Sequence, residues 1–151
     1  MDINSLLTDA PNPEDFAGFL IWQLSNKWEK YVNQKLKGFN INQGEAFHLI
    51  SILQLSKELS EVTQVDIANA TGGSIMNTSK ILKSLEKKQW ITRQTASDSR
   101  AKKVAVTEAG IAISVNIAAV LGKADEAFYK SSRTPEFIAT LQQIDQYHKA
   151  K

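Results

Sequence analysis

Between Thr63 and Gly110 the hydrophobic period of this 151-residue chain changes twice, and that change constrains the fold more than any other feature. Thr63 with Asp66 opens a short helix reaching about Ala70, because an oxygen on the capping side chain can take a free N–H of the first turn. Thr71-Gly72-Gly73 interrupts it. Ser74 then caps a second helix that places Ile75, Thr78, Ile81, Leu82 and Leu85 on one face, the 3.6-residue spacing of an amphipathic helix. Its other face carries Met76, Asn77, Lys80, Lys83, Ser84 and Lys87. From Ile91 to Thr95 and from Lys103 to Thr107 the pattern becomes β-prone, with Val104 and Val106 alternating against polar neighbours. A polar tip from Ser97 to Lys103 joins the two strands, which predicts a helix-turn-helix with a hairpin attached, a winged helix.

The flanking segments are helical. Asn12-Pro13-Glu14-Asp15 is a helix start, with a capping residue, a proline that loses no bonded amide and acids at the positive dipole end. Phe16, Phe19, Leu20, Leu24, Trp28, Tyr31 and Val32 follow at helical spacing towards Lys37, and Gly38 is expected to stop the helix. Asn42 with Glu45 starts another, apolar on most sides through Phe47, Leu49, Ile50, Ile52, Leu53 and Leu55, so it belongs at the centre. Thr107-Glu108 begins a long helix to about Lys130, and Thr134-Pro135-Glu136 begins the last. The expected fold is mostly α with a small β-hairpin wing, one chain in which residues 41–106 form a winged-helix DNA-binding domain. Residues 12–40 and 107–149 have more apolar positions than so small a domain needs. They are read as dimerisation helices, with Phe16, Phe19, Leu20, Ile117, Leu121, Phe137, Leu141 and Ile144 as the contact residues.

Composition narrows the function. The net charge is only +2, yet the segment from Ser74 to Lys103 carries eight lysines and arginines against Glu86 and Asp98, a net +6 that leaves −4 on the rest. A basic segment on a mildly acidic body suits a polyanionic partner. Without cysteine there is no disulfide, thiolate zinc site or thiol sensor. No apolar run is long enough for a membrane span, and the acidic N-terminal stretch is unlike a secretory signal, so a soluble cytoplasmic protein is expected. Catalysis is not: His48 and His148 are the only imidazoles, Glu58, Glu61 and Asp66 read as a solvated patch and caps, and no phosphate loop, nucleophile elbow or cofactor motif is present.

An exposed helix of this kind fits the major groove of DNA. Asn77 can pair with adenine, Met76 can pack on a thymine methyl, and Lys80 and Lys83 suit guanine or phosphate, while Ser74 caps the helix beside the backbone. Arg100 is suited to the narrow minor groove, aimed by Asp98 through paired hydrogen bonds, with Lys102 and Lys103 adding attraction. The competing reading is a winged helix used as a protein-interaction module. Trp22, Trp28 and Tyr31 could line an aromatic pocket, but core and dimer contact is the simpler assignment.

The run from Thr63-Gln64 through Leu85-Glu86-Lys87-Lys88 and Asp98-Ser99-Arg100-Ala101 to Val106-Thr107-Glu108-Ala109-Gly110 resembles the core of the MarR family of bacterial winged-helix regulators. The resemblance implies a homodimer built from the terminal helices and bound to a pseudo-palindromic duplex operator, covering promoter DNA as a repressor. It also implies a helix in the major groove, a wing arginine in the minor groove and often a small aromatic effector between the dimer and DNA-binding parts. Two departures stand out. Gln89 occupies a position where the family usually has glycine, at a cost of about 1 kcal/mol if the backbone is left-handed. The Gly72-Gly73 pair predicts a looser turn before the groove-facing helix.

Overall fold

The computed structural model describes residues 2–95 and 102–149. In chain order it has α1 (Ile3–Thr8), a 3-10 turn (Pro13–Asp15), α2 (Ala17–Leu36), a second 3-10 turn (Lys37–Phe39) and α3 (Gln43–Glu58). Then come β1 (Val62–Thr63), α4 (Gln64–Thr71), α5 (Ile75–Lys87), β2 (Ile91–Thr95), β3 (Lys102–Val106), α6 (Glu108–Tyr129), a third 3-10 turn (Lys130–Ser132) and α7 (Pro135–Tyr147). None of these helices is long and apolar enough to cross a membrane.

The helix starts follow their local caps. Asn42 and Glu45 exchange side-chain and backbone bonds at the head of α3, and Thr63 and Asp66 do the same at the head of α4. These reciprocal boxes each satisfy two amides that the helix geometry leaves open. Thr107 caps α6 and Thr134 caps α7. Asn12 does cap, but what it caps is the 3-10 turn; Phe16 is extended and α2 begins only at Ala17. Nor does Gly38 end the long helix by a left-handed turn. It sits within the 3-10 turn that closes at Asn40, whose φ is 55°; asparagine tolerates that region because its short amide bonds locally. Gln89 is left-handed (φ 65°) as expected. Its N–H donates to the Glu86 carbonyl at 2.9 Å and Trp90 N–H to that of Leu85 at 3.1 Å, a Schellman closure formed without glycine.

The sheet has three antiparallel strands in the order β1-β3-β2, one more than the two-stranded wing expected. Val62 pairs with Val104, and Ile91 with Val106. Two residues are too short to show a period, so β1 exists only because β3 offers it an edge.

The core lies around α3, whose Ala46, Leu49 and Ile52 meet Val32 and Leu36 of α2, Ile67 of α4, Leu82 and Leu85 of α5, and Ile117 of α6. Trp28 and Tyr31 stack on Phe128 at 5.4 and 5.5 Å, and Tyr129 reaches Phe137 at 5.7 Å. Two of the three aromatic candidates on α2 are therefore packing residues, while Trp22 is exposed. By contrast α1 and α7 bury no side chain fully, and Ile3, Leu7, Leu141, Ile144 and Tyr147 face outward.

His48 is buried on α3, its Nδ1 2.7 Å from the Gly44 carbonyl, which can only accept. Nδ1 therefore holds the proton, and Nε2 has no partner among the described residues. Burial lowers the His48 pKa below its ordinary 6.5, outweighing the bond to Gly44, which raises it. A depressed histidine pKa contributes stability that is complete above 6.5 and is lost as pH falls through the folded value. Denaturation midpoints should therefore drop as pH falls below 6.5, and His48→Gln should flatten the dependence. Equal slopes in both proteins would remove His48 as the cause.

Candidate nucleic-acid interface

The exposed edge is built from α4, α5 and β3. Gly72, with φ 75°, ends α4, and one residue later Ser74 accepts from Asn77 N–H at 3.0 Å to start α5. Gly73 has no left-handed φ, so only one of the paired glycines is demanded by the backbone. Thr78 is fully buried and its hydroxyl donates to the Ser74 carbonyl at 2.8 Å. With Leu82 and Leu85 buried on the same side, α5 has one rotational setting. Met76, Asn77, Lys80, Lys83 and Lys87 then face outward, as the period requires.

Two residues leave their expected sides. Ile75 was placed on the buried face, yet it is 48% exposed. At the start of α5 it faces α4 across an open groove instead of the core. Ser84, placed on the outer face, is half-buried and donates to Glu45 Oε2 at 2.8 Å.

Ile75 instead lines a groove of about 380 Å³ with Thr63, Gln64, Val65, Ser79, Arg93 and Lys102. The adjoining groove, about 660 Å³, is lined by Gln64, Ile75, Met76, Ser79, Lys80 and Lys83. The two share Gln64, Ile75 and Ser79, so they form one continuous channel. Lys80, Lys83 and Lys102 thus lie along one edge of the molecule. Gln64, Val65 and Ser79 were not singled out from sequence. Ser79 lies one turn beyond Ile75 on α5, and the packing of α4 against α5 brings Gln64 and Val65 beside it.

The charge count changes as well. Lys88 Nζ is 2.8 Å from the buried carboxylate of Glu45 and donates to the Asn40 carbonyl at 2.8 Å. Arg93 holds Glu86 at 3.1 Å. Lys103, one of the proposed phosphate contacts, lies 4.0 Å from Glu61, both about two-fifths exposed, a loose pair worth at most about 1 kcal/mol. Lys80, Lys83, Lys87 and Lys102 make no ion pair among the described residues. Asp98 and Arg100 lie outside the described residues.

Two of the expected dimer contacts need correction. Ile117 is wholly buried in the chain's own core and Leu121 nearly so, since α6 packs against α2 and α3 there. Phe16, Leu20, Leu141 and Ile144 are exposed, and Phe19 and Phe137 are half-buried.

The MarR family model matches residues 47–102, the stretch from mid-α3 to the start of β3. This stretch is therefore a MarR-type domain. It is 28% identical over 134 residues to YdcH of Bacillus subtilis (strain 168), an uncharacterized HTH-type transcriptional regulator, covering 87% of this chain and 91% of that protein. Its fold is similar to that of S. aureus MepR in a DNA complex, with a TM-score of 0.72, 20% identity and 90% and 96% of the two chains covered. It is also similar to that of an E. coli MarR mutant complexed with operator DNA, with a TM-score of 0.71, 23% identity and 86% and 91% covered. A MarR-family regulator from Rhodococcus sp. RHA1 gives a TM-score of 0.76 at 19% identity, covering 91% and 94%. The fold is a winged helix-turn-helix like that of these regulators.

Proposed function

We propose that this protein is a MarR-family transcriptional regulator that binds double-stranded DNA sequence-specifically as a homodimer and represses the promoter it covers. The observation that carries the reading is the shared edge of Lys80, Lys83 and Lys102, without an ion pair among the described residues and set along the channel beside the outward face of α5. A helix with that exposed face suits the major groove, where Asn77 can meet a base edge and the lysines the phosphates. Ser74, at the helix N-terminus, and Lys103, on β3, meet the phosphate backbone in this reading. Arg100, aimed by Asp98, serves as the minor-groove contact. MepR and the E. coli MarR mutant, whose folds this chain shares, were both solved with DNA.

Dimerisation is supported by the outward apolar surface of α1, the first half of α2 and α7: Phe16, Leu20, Leu141 and Ile144, flanked by Phe19 and Phe137. In this reading residues 12–40 and 107–149 join the two copies and residues 41–106 bind DNA. Between α2 and α6 a cavity of about 290 Å³ is lined by Tyr31, Lys35, Val120, Lys123, Ala124 and Ala127. An apolar floor with two cations at the rim suits a small aromatic acid, which would relieve repression.

Duplex affinity measured against salt tests the reading. It should fall linearly on a log–log plot as neutralised phosphates shed counterions. Lys80→Ala should lower that slope by about 1 if it meets a phosphate. No retention on duplex DNA at low salt would leave a protein-interaction module instead.

A further inference from the structure

Three apolar side chains stand out on the basic edge. Val65 is 54% exposed, Ile75 48% and Met76 78%. Scattered apolar residues on a surface need no explanation, but these share the channel that Lys80, Lys83 and Lys102 flank. Ile75 is the informative one. Its place in the helical period would allow burial, and the crossing of α4 over α5 instead holds it in the channel beside Val65.

The lysines select a polyanion, and the apolar residues between them then need an apolar feature on that polyanion. In the major groove the base edges offer one projecting apolar group, the C5 methyl of thymine, among mostly hydrogen-bonding positions. We infer that Ile75 and Met76, backed by Val65, read thymine methyl groups, and that the preferred sites carry thymines under the first turn of α5. The inference rests on the DNA-binding reading above and specifies what that site recognises. Phosphate contacts by the lysines would set position along the duplex, and the methyl contacts would set sequence.

Deoxyuridine tests it, because it removes the methyl while keeping every phosphate and every Watson–Crick bond. The full chain is first used to select a preferred duplex from a random pool. That duplex is then prepared with thymidine and with deoxyuridine, and both affinities are measured. At least a tenfold loss with deoxyuridine is expected for the natural chain. In the double variant Ile75→Ala, Met76→Ala the two duplexes should bind within about twofold of each other, with the salt slope unchanged because the lysines remain. Both positions are exposed at the start of α5 and outside the buried core, so the variant keeps the core. Equal affinity of the natural chain for both duplexes overturns the methyl reading and leaves DNA binding standing. A deoxyuridine loss that persists unchanged in the variant also overturns it, assigning the effect to DNA shape. Failure to bind either duplex overturns the DNA-binding reading, and this inference with it.

Discussion

Gly110→Ala is expected to destabilise the protein by about 3 kcal/mol and to loosen the hairpin from the helix that follows it. A Cβ at this position would lie 2.1 Å from the Trp90 carbonyl oxygen, 3.0 Å from its carbon and 2.6 Å from Val106 Cγ1. Val106 can shift or rotate, but the carbonyl cannot. Trp90 accepts from Thr107 N–H at 3.0 Å and its own N–H is held by Leu85, while the Thr107 hydroxyl donates to the Gln89 carbonyl at 2.8 Å. The same hydroxyl oxygen accepts from Gly110 N–H at 3.0 Å. These bonds tie the end of α5, the first residue before β2 and the start of α6 into one corner. A methyl group can enter only by opening it. For a chain of this size the thermal midpoint should fall by roughly 6–12 °C. Alanine with an unchanged midpoint would show that the close approach is not maintained in solution.

Lys88→Ala should cost about as much, roughly 3 kcal/mol, because it leaves a buried carboxylate without its cation. Glu45 is 4% exposed and receives Lys88 at 2.8 Å, the Ser84 hydroxyl at 2.8 Å and Asn42 N–H at 3.3 Å. Lys88 is about a quarter exposed, so water can reach part of the vacated site, and the cost belongs at the low end for a buried pair. Glu45→Gln combined with Lys88→Met should be less damaging than the two single changes added together, since the desolvated charges vanish as a pair. Additive losses in that cycle would show that the two side chains do not act on each other. DNA binding supplies a second readout. Lys88 belongs to the basic segment, yet it points at α3 and the Asn40 turn, so its removal should leave the salt slope of duplex binding unchanged. The expected result for Lys80 is the opposite.

Much of the local structure was legible because its causes lie within one helical turn. The paired caps Asn42–Glu45 and Thr63–Asp66, the proline starts and the outward set Met76, Asn77, Lys80 and Lys83 depend only on neighbours three or four residues away. The left-handed Gln89 was legible from the resemblance, which marked the position as one that wants glycine. Gly38 misled because a glycine signals freedom but not where the chain uses it; Asn40, two residues on, took the left-handed turn.

Sequence by itself determined the element order, the helix faces and the sign of the charge along α5 and β3, because backbone period and local hydrogen bonds set them. Only the tertiary structure decided which charges remain available. Glu45 and Lys88 are 43 residues apart, and their contact exists solely because α3 and α5 cross. Other contacts distant in sequence leave Ile75 in a channel beside α4, bury Ile117 and Leu121 as α6 packs on α2 and α3, and give the two residues of β1 the edge of β3. Burial and ion pairing depend on which surfaces meet, and that is a property of the packed chain, not of any single segment.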